Sequence, residues 1–228
     1  LVTGAGGSIG GELCHQIINQ KPKKLILIEI SEPSLYKVGE SLKAEVNNSI
    51  KVISLLGNCK NLSTVENIFQ THNVDIVFHA AAYKHVALVE NNALEGISNN
   101  IISTLNICKS SLNNNIEKVV FISTDKAVRP TNVMGASKRL CELIVKYYSN
   151  KLKKTRKKNT IFSIVRFGNV LGSSGSVVPL FNDQISKGGP ITLTDENIIR
   201  YFMTISEAVQ LVLQTASLSC EGEIFLLD

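Results

Sequence analysis

At 228 residues, 44% of them hydrophobic and 19% charged, the chain is long enough for one large domain, or one domain with a small appendage, and its composition is that of a globular protein. The net charge is +5, and much of it lies in the run Lys151–Lys158. No aromatic residue interleaves that run, which weakens a nucleic-acid reading; a solvated helix end is favoured over an anionic membrane surface.

The 5 cysteines are scattered, with no Cys-x-x-Cys pair, and fit reduced thiols in a cytoplasmic setting. The 4 histidines have no metal-ligand spacing, so no metal is expected. No apolar run reaches the length of a membrane span and no signal peptide is visible, so no membrane contact is expected of this segment. Leu1-Val-Thr3 is short for an interior strand, and the chain stops directly after the strand-like run Glu223–Asp228. A segment of a longer protein is therefore expected.

In chain order, Leu1 to Gly10 reads as a strand, a glycine loop and a helix start. Gly4, Gly7 and Gly10 stand at Gly-x-x-Gly-x-x-Gly spacing. Glycines let a backbone approach a pyrophosphate, and the amides of the following helix start, at Ser8 and Ile9, favour an anion. Ile9, Leu13, Ile17 and Ile18 form a helical stripe. Leu25–Ile28 is a second buried strand ending in Glu29, whose carboxylate is spaced to grip ribose hydroxyls. No Arg or Lys stands between Ile30 and Leu35 to receive a 2′-phosphate, so NAD is favoured over NADP.

Leu35, Val38, Leu42 and Val46 mark the next helix, and Val52–Leu56 a third strand followed by Gly57-Asn58-Cys59. Asn58 is placed either to contact adenine or to form a turn, with Cys59 beside it. Leu62–Phe69 reads as helical. Val74–Phe78 is a fourth strand running into His79-Ala80-Ala81-Ala82, where small side chains leave room for a ligand or serve tight packing. A long helix, 93–112, is expected to carry Ile97, Ile101, Leu105 and Cys108 on one face.

The fifth strand, Val119–Ile122, ends in Ser123-Thr124-Asp125-Lys126, and strand carboxyl ends are where doubly wound sheets bind ligands. Met134 and Lys138 follow four residues apart on one helix face, and Leu140, Leu143, Ile144 and Tyr147 continue that helix. Ile161–Val165 is the sixth strand. Gly172–Ser176 reads as a ligand lid, Leu180–Ile185 as a helix and Ile191–Thr194 as a short strand. Thr204–Glu207 is a capping box before a helix carrying Val209, Val212 and Leu213, and Phe225–Leu227 closes a seventh strand. Strands and helices alternate throughout. The expected fold is α/β, a doubly wound (Rossmann) parallel seven-stranded sheet. Residues 1–167 form its dinucleotide-binding part, and 168–228 a small C-terminal substrate-binding α/β part whose residues 223–228 return to the sheet.

Five blocks, Val2–Gly10, His79–His85, Ser123–Lys138, Arg166–Gly172 and Arg200–Thr204, together resemble the extended short-chain dehydrogenase/reductase superfamily over essentially the whole chain. Within it they resemble the nucleotide-sugar 4,6-dehydratases of polysaccharide biosynthesis, the capsule and glycosylation type that acts on UDP-N-acetylglucosamine. The resemblance implies an enzyme with NAD(P) and a UDP-sugar, most often UDP-N-acetylglucosamine. It implies a hydride taken from sugar C4, loss of the C5 proton and the C6 hydroxyl, and return of the hydride to C6.

In that scheme Asp125 is the acid for the C6 oxygen, Lys126 the C5 base, its pKa lowered by burial or by Lys138, and Lys138 the holder of the nicotinamide ribose. Lys84, His85, Asn169, Ser176 and Arg200 fall near the sugar or diphosphate. Most of the superfamily has Tyr-x-x-x-Lys; here the tyrosine position is Met134, whose thioether moves no proton, and Thr124 is the candidate hydroxyl in its place. Asn58 and Ser103 are smaller departures, where aspartate and glycine are usual. The resemblance also implies a homo-oligomer, cytoplasmic in itself or as the cytoplasmic domain of a longer membrane-anchored protein. The competing readings are a nucleotide-sugar 4-epimerase and a non-catalytic NAD- or UDP-sugar-binding fragment.

Overall fold

A computed structural model describes residues 1–46, 49–155, 160–173, 175–193, 195–197, 199–220 and 222–227, with the backbone alone for 152–155. Most of the basic run Lys151–Lys158, together with Thr194 and Ser174, lies outside the described side chains.

The elements are β1 (Val2–Thr3), α1 (Ser8–Ile18), β2 (Lys24–Glu29), α2 (Glu32–Val46), β3 (Lys51–Leu56), α3 (Leu62–His72), β4 (Ile76–His79), α4 (Val86–Asn91) and α5 (Ala93–Asn113). They continue with β5 (Lys118–Ile122), a 3₁₀ turn (Asp125–Ala127), α6 (Val133–Thr155), β6 (Ile161–Phe167), β7 (Asn169–Val170), α7 (Val177–Ser186), β8 (Phe202–Met203), α8 (Ile205–Leu218) and β9 (Ile224–Leu227). Seven strands form one parallel sheet in the order β3-β2-β1-β4-β5-β6-β9, the expected doubly wound fold.

Strands covered on both faces must be apolar throughout, and Leu25–Ile28 and Val119–Ile122 are buried along their whole length. One face packs on α1, α2 and α8 through Leu13, Leu42, Val209 and Val212. The other packs on α3, α5 and α6 through Phe69, Ile107, Cys141 and Val145. Each such side chain contributes roughly 1.5–3 kcal/mol on burial. The capping box forms as expected: the Thr204 hydroxyl accepts from the Glu207 amide at 3.1 Å, and Glu207 accepts from the Thr204 amide at 2.8 Å.

One expected strand is corrected, and α5 and α6 bury faces that their apolar residues mark only in part. Residues 191–193 form no strand; instead Asn169–Val170 pairs in parallel with Phe202–Met203 as a separate two-stranded sheet. The stripe on α5 is buried in part: Cys108 is buried and Ile101 packs against the core, but Leu105 is 39% exposed, while Gly96, Asn100, Ser103 and Thr104 are buried. α6 continues through Leu140, Leu143, Ile144 and Tyr147 as expected; Leu140, Leu143 and Tyr147 are exposed, and Met134, Ser137, Lys138, Cys141 and Val145 face inward. The physical reason is close helix approach. Gly96 and Gly135 pack so tightly that a Cβ would stand 2.7 Å from Val89 and 2.4 Å from the Lys126 carbonyl oxygen. Small and polar residues therefore share the buried side with Ile107, Cys108, Cys141 and Val145, while Leu105, Leu140, Leu143 and Tyr147 point outward.

Candidate active site

The strand order reverses between β1 and β4, which opens a crevice at the carboxyl ends of the strands. A cavity of about 660 Å³ occupies it, within the range of small-ligand sites. Its floor is the glycine loop. Gly4 has φ +66°, and a Cβ there would stand 2.8 Å from the Ala81 backbone. A Cβ on Gly10 would stand 2.0 Å from the Gly4 carbonyl oxygen. The loop therefore closes only with glycine at both positions. Gly7 caps α1 without a side chain, so the first-turn amides at Ser8, Ile9 and Gly10 border the cavity at the positive end of the helix dipole.

Glu29 stands at the end of β2. Its Oε2 accepts from the Gly6 amide at 3.0 Å, and its Oε1 from the amides of Ile30 and Ser31 at 2.9 and 3.0 Å. A carboxylate has about four acceptor positions, so three backbone donors leave about one for a ligand. Asn58, Cys59, Ala80, Ala81 and Ala82 line the same cavity, with Lys84 and His85 at its other end. Partial burial pushes the Lys84 ammonium below its ordinary range. Burial pushes the Cys59 thiol up to about 12, which makes it an inert wall. The sequence reading missed Gly6 and Ser34, which meet across this cavity: a Cβ on Gly6 would stand 2.4 Å from Ser34 Cβ. Ser103 lines it too.

The polar cluster after β5 lies at the adjoining edge of the sheet, since β5 pairs with β4 in register His79 to Phe121. Asp125 Oδ1 accepts three hydrogen bonds: from Thr124 Oγ1 at 2.8 Å, the Lys126 amide at 2.9 Å and Lys126 Nζ at 3.0 Å. Partial burial pushes the Asp125 carboxyl up, but the bonds from Thr124 and Lys126 outweigh it and hold the group below its ordinary range. Both side chains remain accessible, Asp125 at 47% and Lys126 at 31% exposure.

Lys138, one turn into α6, is buried; its Nζ donates to the Ile122 carbonyl at 2.8 Å and sits 4.7 Å from the centre of the Phe121 ring. Burial pushes its pKa down, with Cys141 and Glu142 pulling the other way. Met134 is 3% exposed and packs as an apolar side chain.

Two buried networks brace these elements. Glu142 accepts from Ser123 at 2.7 Å, from Arg166 at 2.7 and 2.6 Å and from Arg139 at 2.9 Å, and so ties the ends of β5 and β6 to α6. Asn100, also missed in sequence, accepts from the Tyr83 amide at 2.8 Å and donates to the Tyr83 carbonyl and to Ser137 at 3.0 Å. Its helix face is otherwise made of Gly96, Ser103 and Thr104, so no apolar stripe pointed to it.

His79 belongs to the second network. The Thr104 hydroxyl donates to the Asn100 carbonyl, so it can only accept from His79 Nε2–H; Thr3 then donates to Nδ1 at 2.7 Å. Burial, then the Lys138 charge, pushes the His79 pKa down from 6.5 to about 3. Between those values the unfolded chain binds the proton and the folded one does not. Stability is therefore full above pH 6.5 and lost as pH falls towards 3, by on the order of 5 kcal/mol. Urea midpoints measured from pH 7 to 4 are expected to fall, and to fall less steeply in His79→Gln. An equal slope in both proteins would remove His79 as the cause.

Thr124, Asp125, Lys126, Met134 and Lys138 do not line this cavity, and the remaining expected residues lie outside it as well. Asn169 donates to the Tyr201 carbonyl at 3.4 Å in the β7–β8 sheet. Ser176 caps α7 through its backbone, and its Oγ is buried with no hydrogen-bond partner among the described residues. Arg200 is exposed just before β8. The loop reaches the cavity through Gly175, φ +67°, whose Cβ would stand 2.2 Å from His85 Cε1. Among the described residues no three His, Cys, Asp or Glu side chains could hold a metal, and no helix is long and apolar enough to cross a membrane.

A parallel sheet with a glycine-floored crevice at its switch point, a carboxylate at the end of β2 and a Thr-Asp-Lys cluster after β5 defines a doubly wound, Rossmann-type α/β protein. The chain belongs to the family described as "Polysaccharide biosynthesis protein", which it matches over residues 1–228. It is 46% identical over 228 residues to the capsular polysaccharide biosynthesis protein CapD of Staphylococcus aureus, a match covering 100% of this chain and 37% of CapD. It thus spans little more than a third of that relative. It is 35% identical over 233 residues to a UDP-glucose 4-epimerase of Rickettsia prowazekii, covering 99% of this chain and 64% of that protein. In fold it is similar to the dTDP-glucose 4,6-dehydratase DesIV of Streptomyces venezuelae, solved with NAD and TYD bound. The TM-score is 0.84 at 19% identity, over 99% of this chain and 74% of DesIV.

Proposed function

We propose that the protein is a UDP-sugar 4,6-dehydratase that works with tightly bound NAD in polysaccharide or glycan biosynthesis, with UDP-N-acetylglucosamine as substrate. One observation carries the reading: a carboxylate and an amine joined at 3.0 Å, accessible, beside the glycine-floored crevice. The glycine cradle fits a dinucleotide, because it brings backbone where a Cβ would forbid closure and offers helix-start amides to a diphosphate. The last acceptor position of Glu29 suits a ribose hydroxyl and repels a 2′-phosphate, which favours NAD over NADP.

A bound nicotinamide would supply the redox chemistry, taking a hydride from sugar C4 and returning one to C6. The chain's own groups move the protons. Thr124 Oγ1 accepts the 4-hydroxyl proton and releases one to water, the part Met134 cannot play. Once a sugar excludes water, a paired carboxylate and ammonium are more costly than their neutral forms, and a proton passes from Lys126 Nζ to Asp125 along the 3.0 Å contact. That single shift makes both catalysts. Neutral Lys126 takes the C5 proton while Asp125 protonates the C6 oxygen, which leaves as water, and the ion pair is restored. Lys126 then delivers a proton to C5, and one from solvent resets it.

Lys138 holds the nicotinamide ribose and fixes the strand end through Ile122. Residues 168–228 form the substrate-binding part: its Asn169, Ser176 and Arg200, together with Lys84 and His85 of the dinucleotide-binding part, receive the sugar and diphosphate, and the Gly172–Ser176 loop closes over them. A 4-epimerase is the second reading, favoured by the Rickettsia relative. It needs no acid–base pair for C5 and C6. Incubation with UDP-N-acetylglucosamine and NAD, followed by mass spectrometry, separates the two: the dehydratase product is lighter by one water, whereas an epimer has unchanged mass.

The outward stripes Ile102 and Leu105 on α5 and Leu140, Leu143 and Tyr147 on α6, 39–60% exposed, support a homo-oligomer that covers them. Leu143→Glu is expected to lower the mass in solution by light scattering. An unchanged mass in that variant would remove this face from the interface.

A further inference from the structure

The side of α5 that borders the cavity carries Glu95, Gly96, Asn99 and Ser103. Ser103 stands at the C-terminal end of that row. Asn106, three residues on and so on the same side of the helix, donates through Nδ2 to the carbonyls of Cys59 and Lys60 at 3.0 and 2.8 Å. Those bonds dock this turn of α5 on the loop after β3. The Gly57 amide of that loop donates to the Glu29 carbonyl at 2.9 Å, so Ser103, Asn58 and Cys59 wall the Glu29 end of the cavity.

Ser103 is only 2% exposed, yet its Oγ has no hydrogen-bond partner among the described residues. A hydroxyl so deeply placed normally finds one. Ser110 and Ser111, further along α5, also hold unpaired oxygens, but theirs are sealed in the protein away from the cavity. The Ser103 oxygen is not sealed, and the cavity is the space it borders. A group that leaves the empty protein one hydrogen bond short, on the wall of a ligand cavity, is accounted for by a ligand that completes the bond.

With diphosphate at the start of α1 and ribose at Glu29, the adenosine half of a dinucleotide fills this end. We propose that Ser103 is a further cofactor-binding residue, whose hydroxyl makes a hydrogen bond to the adenosine half of the dinucleotide. The inference rests on the dinucleotide reading of the cavity and adds to it a contact from α5.

The test is calorimetric titration of nucleotide-free protein with NAD and with ADP, which has the adenosine and diphosphate but no nicotinamide, for the wild type, Ser103→Ala and Ser110→Ala. Ser103→Ala is expected to weaken NAD and ADP alike by at least about threefold, the contribution of one hydrogen bond. The Tm of the nucleotide-free protein should not fall, because alanine removes an unpaired buried hydroxyl. Ser110→Ala removes such a hydroxyl from the same helix away from the cavity, and should leave both affinities within about twofold. A smaller loss in Ser103→Ala, a loss with NAD but not with ADP, or a loss beyond about twofold in Ser110→Ala overturns the proposal. A lowered Tm in Ser103→Ala overturns it too, by assigning the residue to packing. If neither NAD nor ADP binds the wild type, the cofactor reading falls and this inference with it.

Discussion

Asp125→Asn and Lys126→Ala are each expected to lower turnover of the UDP-sugar by roughly 10²–10⁴-fold, the usual worth of a positioned acid or base. Affinity for NAD should stay within about threefold, because neither side chain lines the dinucleotide cavity. The two losses should not add. Each variant destroys the same proton shift along the 3.0 Å contact, so the double variant is expected to be scarcely slower than the worse single one. Steady-state rates for the three variants, with titration of the cofactor, check this. Near-normal turnover in both single variants would remove the assignment, and independent losses would remove the shared proton.

Gly10→Ala is expected to unmake the cofactor site. The added Cβ would stand 2.0 Å from the Gly4 carbonyl oxygen, a backbone atom that cannot turn aside. The loop must open, at about 3 kcal/mol or more in stability, and dinucleotide affinity should fall by at least about 100-fold. Gly11→Ala is the control. Its nearest neighbour would be the Ala5 carbonyl oxygen at 3.4 Å, an ordinary contact, and alanine is the better helix former. Thermal unfolding and NAD titration of both variants are the measurement. Equal tolerance of the two would show that the loop is not the tight cradle described.

Much of this was legible in the sequence where burial is two-sided or periodic. Apolar runs such as Leu25–Ile28 have no other stable place than the middle of a covered sheet, and Leu35, Val38, Leu42 and Val46 all turned inward on α2. The pattern held only in part on α5, where Cys108 is buried and Leu105 is not, and it did not mark the inward face of α6. There the buried seam is made of Gly96, Asn100, Thr104, Ser137 and Lys138, and the leucines face out. Hydrophobicity alone cannot tell a core stripe from an exposed one. Strands of two residues, like β7 and β8, are too short to leave any alternation.

At the site, the glycine spacing and Glu29 were readable because few residue types can do what those positions require. What the residues bond to was not readable. The sequence placed Asp125 next to Lys126 but gave no sign that three donors converge on one carboxylate oxygen. It left Asn58 open between a turn and a base contact. In the structure its oxygen makes the turn, and the residue also lines the cavity.

The account stands or falls on proton exchange at sugar C5. With UDP-N-acetylglucosamine and NAD in heavy water, the product is predicted to have lost one water and gained a single deuterium at C5, delivered by the Lys126 amine after exchange with solvent. A product of unchanged mass that carries no deuterium at C5 would contradict it.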